Sequence, residues 1–139
     1  MTSPASIFSE RLDDRRRLDV PAKLFGIRFP MYVESFVFDT AGSLSEQYNG
    51  GLWHFNLLSN GGFYMAPDQA EPFHVICDNG FEGDLSADAF GITVCLYAYS
   101  MLSFSGNEEF AQTCAQQYHW LREYMAEHAE MTVILKATD

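Results

Sequence analysis

The chain has 139 residues, 47% of them hydrophobic and 15% aromatic, with a formal net charge of −11. That length suits one domain around a single core, and the apolar and aromatic content excludes a disordered chain. The acidic balance argues against direct binding of nucleic acid, whose phosphates are held largely by lysine and arginine.

Residues 1–17, MTSPASIFSERLDDRRR, read as a loosely ordered arm ahead of a single domain over residues 18–139. The opening is polar and charged, so no secretory signal is predicted and the expected compartment is the cytoplasm. Basic residues crowd the front: Arg11, Arg15, Arg16, Arg17, Lys23 and Arg28, with only Arg122 and Lys136 near the back. Between Phe29 and Leu121 there is neither lysine nor arginine, while eleven acids, Glu34 to Glu109, fall in that stretch. Val20 to Gly26 predicts a short helix begun by Pro21 and stopped by glycine. After Pro30, the spacing of Tyr32, Val33, Phe36, Val37, Ala41 and Leu44 lays one apolar stripe along a second helix.

The period then changes. Trp53, Phe55 and Leu57 alternate with His54 and Asn56 as in a half-buried strand, and Ser59-Asn60-Gly61-Gly62 supplies the backbone freedom a hairpin turn needs. Phe63 to Ala66 would return, and Phe73 to Cys77 would add a third strand, giving a three-stranded antiparallel meander with one face covered. From Ala89 to Phe104 no residue is charged, and a helix apolar on every side must be covered on every side. This central helix starts at the N-cap Ser86, with Asp88 in the first turn, and ends at Ser105-Gly106-Asn107. It falls short of the roughly 20 apolar residues of a bilayer span, so no membrane is expected. Asn107 opens another helix carrying Phe110, Cys114, Leu121, Tyr124, Met125 and His128 close to one face. The closing run MTVILKATD is helix or strand; periodicity does not decide between them. The predicted fold is α+β, a small three-stranded antiparallel sheet packed with four to five helices around the central apolar helix.

No pattern of catalytic residues emerges. The histidines and cysteines lack the close paired spacings of a zinc site, and the double glycines lead into strands in the lysine-free zone, unlike a phosphate loop. Ser59 lies outside any G-x-S-x-G elbow. Cys77, Cys95 and Cys114 are an odd number inside core segments, which predicts reduced thiols and no disulfide framework. No metal, cofactor or small-molecule substrate is expected. A cysteine-dependent hydrolase acting through Cys77 or Cys95 is the competing class, and an interaction module of another mobile-element defence or transfer system is a third.

Three segments carry a resemblance: YNGGLWHFNLLSNGGFYMAP from Tyr48 to Pro67, FEGDLSADAFGITVCLYAYSMLSF from Phe81 to Phe104, and LREYMAEHAEMTVILKATD from Leu121 to Asp139. In that order they resemble the antirestriction proteins of the ArdB and KlcA type, carried on plasmids, phages and genomic islands. His54 and Asn56 depart from the polar pair of relatives. The resemblance implies a small mixed fold and relief of cleavage by host type I restriction–modification complexes, without enzymatic activity, with that complex as direct or indirect partner.

Mimicry of a whole DNA duplex is disfavoured by magnitude. A compact chain of this length spans roughly 37 Å, over which a duplex carries roughly 22 phosphates, twice the eleven acids of the basic-free zone. A local acidic patch is the better expectation. The candidate partner-binding residues are Asp68, Glu71, Asp78, Glu82, Asp84 and Asp88, with the hairpin tip Asn60, Gly61 and Gly62. Asp139 joins them on the family-like acidic ending.

Overall fold

The computed structural model describes residues 6–139; the first five residues of the expected arm lie outside the described residues. Strands β1 (Ser9–Arg11), β2 (Trp53–Leu58), β3 (Phe63–Pro67), β4 (Phe73–Ile76) and β5 (Glu82–Leu85) combine with helices α1 (Arg16–Phe25), α2 (Glu34–Leu44), α3 (Ala87–Leu102), α4 (Glu108–Met125) and α5 (Met131–Thr138). The predicted α+β class is the observed one.

Helix α3 is the centre. Ser86 caps it, its hydroxyl accepting the Ala89 N–H at 3.1 Å, and almost every residue from Ala87 to Tyr99 is buried. It packs against β3, α2, α4 and α5, which cover it as far as Tyr99; the last turn emerges, with Met101 57% exposed and Phe104, just past the helix, 82% exposed, so the coverage expected to Phe104 stops short. The closing run is helical: Ile134 and Ala137 are fully buried, three residues apart on one face of α5.

The three-stranded sheet has a different third member from the one predicted. Its order is β1-β2-β3, all antiparallel, with Ser9 opposite Leu58 and Arg11 opposite Asn56. Residues expected in a loose arm thus form its outer strand. The Phe73 segment instead pairs with Glu82–Leu85 in a separate two-stranded sheet, Phe73 opposite Leu85 and Ile76 opposite Glu82.

The reason lies at the free edge of β3, which side chains already occupy. The Phe63 N–H donates to Gln117 Oε1 at 2.9 Å and the Phe63 carbonyl accepts from the Tyr99 hydroxyl at 2.6 Å. The Met65 N–H reaches Cys95 Sγ at 3.5 Å, and that thiol returns to the Met65 carbonyl at 3.6 Å. Pro67, at the strand's end, has no N–H to satisfy. Helices α3 and α4 therefore seal an edge that another strand would have to find open. Gly91 makes the close approach possible: a Cβ there would lie 2.5 Å from the Met65 carbonyl oxygen and 2.6 Å from Ala66 Cα.

Two other expectations are corrected. Helix α1 begins at Arg16, not at Pro21, because Asp13 upstream accepts the Arg16 N–H at 2.9 Å and starts the turn early. In β2, Asn56 was expected to face water but is buried, since both faces of the hairpin are covered. Phe29 packs on Phe55 and Phe63 on one side, and Tyr124 stacks over Tyr64, the cross-strand partner of Asn56, on the other.

Candidate partner-binding surface

The hairpin tip is docked rather than free. Asn60 Nδ2 donates to the Trp120 carbonyl at 3.0 Å while its Oδ1 accepts the Gly62 N–H at 3.0 Å, closing the turn on α4. Gly61 has φ +101°, and a Cβ on it would meet the Trp120 ring at 3.2 Å. Both the backbone angle and the indole require glycine there. Gln117 completes the anchor through the Gly61 carbonyl at 3.3 Å. These three residues build the fold, and only part of Asn60 and Gly61 faces water.

The acids divide by what they touch. Asp68 pairs with Arg11 at 2.9 Å on the surface and ties β1 to the end of β3. Glu71 and Asp78 are exposed. Glu82 and Asp84 project from alternate positions of β5 and grip one imidazole between them, Asp84 on His74 Nδ1 at 2.7 Å and Glu82 on Nε2 at 2.8 Å. Asp139 is exposed at the end of α5, where its carbonyl accepts from Asn79 Nδ2 at 2.8 Å.

Asp88 belongs to a different environment. Its carboxylate accepts from the Tyr64 hydroxyl at 2.6 Å and from His128 Nε2 at 2.8 Å. Burial pushes the Asp88 carboxyl up, but the bonds from His128 and Tyr64 outweigh it and hold the group below its usual range. Asp88 draws the His128 ring upward; protonating that ring would sever the bond its Nδ1 accepts from the Glu130 N–H at 2.9 Å. Glu130 in turn binds the Ser86 N–H at 3.0 Å and the Ser86 hydroxyl. The network fastens the start of α3 to the α4–α5 connection and leaves Asp88 little freedom to meet a partner. The spacing in the sequence places His128 on the α4 stripe, but α4 ends at Met125 and His128 stands in the α4–α5 connection; nothing in the local sequence pairs it with Asp88, forty residues earlier.

The clamp on His74 has a titratable consequence. Asp84 and then Glu82 raise the His74 pKa above its ordinary 6.5. The stabilisation is therefore fully present below pH 6.5 and is lost as pH rises through the raised folded value. An NMR titration of the ring should give a midpoint above 6.5 that falls back in Asp84→Asn; an unmoved midpoint in that variant would refute the clamp.

Among the described residues no group of three or more histidine, cysteine or acidic side chains could hold a metal ion. The two carboxylates at His74 sit on opposite ring nitrogens and so do not converge on one point. Among the same residues no helix is long and apolar enough to cross a membrane.

Residues 46–139 match the family described as Antirestriction protein, and over 140 aligned residues the chain is 39% identical to the antirestriction protein KlcA of Escherichia coli, covering 99% of each. The chain belongs to the antirestriction protein family. A putative antirestriction protein, YubI of E. coli strain K12, is 32% identical over 141 residues, covering 98% of this chain and 96% of its own. A solved structure superposes with a TM-score of 0.90 at 38% identity, covering 100% of this chain and 99% of that one. It comes from work on the KlcA and ArdB proteins, described as showing a novel fold and antirestriction activity against type I DNA restriction systems in vivo but not in vitro.

In this antirestriction protein the three thiols are reduced and buried. Burial pushes Cys95 and Cys114 up to about 12 and raises Cys77 as well. A cysteine nucleophile needs its thiolate, which sites of this kind suppress. Cys95 is committed to the edge of β3.

Proposed function

We infer that this chain relieves DNA cleavage by type I restriction–modification systems, and that it does so by docking on the restriction complex and not by chemistry of its own. The observation that carries the reading is relatedness along the whole chain to a protein named for antirestriction, together with the TM-score of 0.90 to the KlcA and ArdB structure. Docking is supported by the placement of the reactive groups. The thiols lie in the core, where burial raises their pKa values, and the half-buried Asp88–His128 pair serves to fasten α3 to the α4–α5 connection. Whole-duplex mimicry gains no support, since Asp68, Glu82, Asp84 and Asp88 already have cationic or imidazole partners.

Glu71, Asp78 and Asp139 face solvent, and Glu82 and Asp84 stay exposed while they share the single His74 ring, so this part of the predicted patch would steer a basic surface of the complex toward the protein. The test is the plating efficiency of unmodified phage on hosts with and without a type I system. Expression of the chain should raise survival only in the restricting host. Replacing Glu71, Glu82 and Asp84 by lysine should lower that protection roughly tenfold, the effect of about 1.4 kcal/mol of lost contact energy. Undiminished protection by the folded triple variant would remove the patch from the contact.

A further inference from the structure

The His128 ring serves two partners that make different demands on it. Its Nδ1 accepts the Glu130 N–H at 2.9 Å, so that nitrogen carries no proton, and the one ring hydrogen sits on Nε2, which donates to Asp88 at 2.8 Å. The imidazole held this way is neutral. A second proton has to go on Nδ1, where it meets the Glu130 N–H, donor against donor. Turning the ring over gives no relief, because both nitrogens of the charged ring are donors.

One partner must yield, and the surroundings decide which. A bond from charged imidazole to carboxylate is roughly twice as strong as one between neutral groups, and Asp88 is also gripped by the hydroxyl of the buried Tyr64 at 2.6 Å. Glu130 closes the stretch 126–130, which holds only turns and bends, and it is partly exposed, so its N–H can turn to water. Its carbonyl accepts the Ile134 N–H at 3.0 Å and starts α5, so a shift of this residue carries the first turn of the helix with it. The far end of α5 is fastened separately. Asn79 Nδ2 donates to the Lys136 carbonyl at 3.0 Å and the Tyr97 hydroxyl to the Ala137 carbonyl at 2.6 Å. A cleft of about 360 Å³ with Met125, Ala126, Met131 and Leu135 among its walls already separates α4 from α5, which gives the first turn room to move.

The charged groups acting on the ring are Asp88 of α3 and the Glu130 carboxylate of the connection, with Tyr64 of β3 on the same Asp88 and Tyr124 of α4 against the ring edge. His54 of β2 acts through Asp88. Among the described residues neither Asp88 nor Glu130 has a lysine or arginine in salt-bridge reach.

We propose that His128 is a proton-operated catch on α5: charging its ring releases the Glu130 N–H and lets the first turn of α5 swing about its fastened C-terminal end, widening the cleft between α4 and α5 while the fold stays intact. The bond to Asp88 raises the ring pKa above its ordinary 6.5, so the catch works near neutral pH. The folded ring holds its proton more tightly than the unfolded chain does, so its contribution to stability is fully present below pH 6.5 and is lost as pH rises through the folded value. Acidification in that window therefore loosens one connection without unfolding the domain.

An NMR pH titration of the full chain with amide hydrogen exchange tests it. The Glu130 amide resonance should move with the midpoint of the His128 ring. Over the same range the protection of the Ile134 amide, corrected for the intrinsic pH dependence of exchange, should fall tenfold or more, while the Asp139 amide, bonded to the Leu135 carbonyl, keeps its protection. Asp88→Asn should carry the ring and Glu130 midpoints down together, and the wild-type titration decides the matter whether or not that variant folds. A Glu130 resonance and Ile134 protection that stay constant while the ring titrates would overturn the proposal. So would changes that follow the His74 midpoint instead, or a loss of protection that spreads equally to Asp139.

Discussion

Alanine at position 91 should cost the protein about 3 kcal/mol, the upper part of the usual range for overpacking a core. On propensity alone the change should help, since glycine inside a helix is worse than alanine by about 1 kcal/mol. Packing decides against it. The new methyl would sit 2.5 Å from the Met65 carbonyl oxygen and 2.6 Å from Ala66 Cα, and both are backbone atoms that no rotamer change can move aside. Relief requires α3 to back away from β3, and that lengthens every bond the helix makes to the strand's edge. The Tm should fall by on the order of 10 °C, read from ~2–4 °C per kcal/mol for a domain of this size. Gly91→Val should leave little folded protein. If Gly91→Ala melts with the wild type, the close approach of α3 to β3 is not what sets the packing of the core.

The second large effect falls on a residue that touches no candidate surface. Gln117 is 1% exposed and reaches from α4 to the edge of β3, with its Oε1 on the Phe63 N–H at 2.9 Å and its Nε2 on the Gly61 carbonyl at 3.3 Å. Leucine there keeps the volume but strands a buried donor, and an unsatisfied backbone group costs about 1–3 kcal/mol. Hydrophobic gain from the leucine offsets part of this, so a net loss of about 2 kcal/mol in chemical denaturation is the expected result. Tyr99→Phe should behave alike on a smaller scale by orphaning the Phe63 carbonyl, which now accepts its hydroxyl at 2.6 Å. The two residues serve the N–H and the carbonyl of the same Phe63, so their effects should be non-additive. Denaturation midpoints unchanged in Gln117→Leu would show that water or another group serves that edge.

These sites explain which parts of the fold were legible in the sequence. The central helix was readable because its signal is local: sixteen uncharged residues behind a serine cap dictate burial whatever the partners are. The hairpin was readable for the same reason, through Asn60, Gly61 and Gly62. The sheet order was not, because it depends on which edge is free, and that is decided by Gln117, Tyr99 and Cys95, each thirty or more residues from the backbone group it bonds. Nor does any local pattern assign Ser9–Arg11 to β2, where a charged run masks three residues of strand.

The candidate site shows the same division. Acid-rich composition draws attention to the stretch from Asp68 to Asp88, but composition does not distinguish a solvated carboxylate from one bound inward. Asp88 meets Tyr64 and His128, and the hairpin glycines meet Trp120. Those inward contacts leave these residues less free to reach outward than their sequence suggests.

The most direct test of the whole account is the dose dependence of protection. The intracellular ratio of this chain to the type I restriction complex can be varied, and survival of unmodified phage measured at each ratio. A protein that acts by docking should protect in proportion to its amount, levelling off once it matches the complex in number. Full protection with the complex in large excess would mean turnover, and would contradict a mechanism of recognition alone.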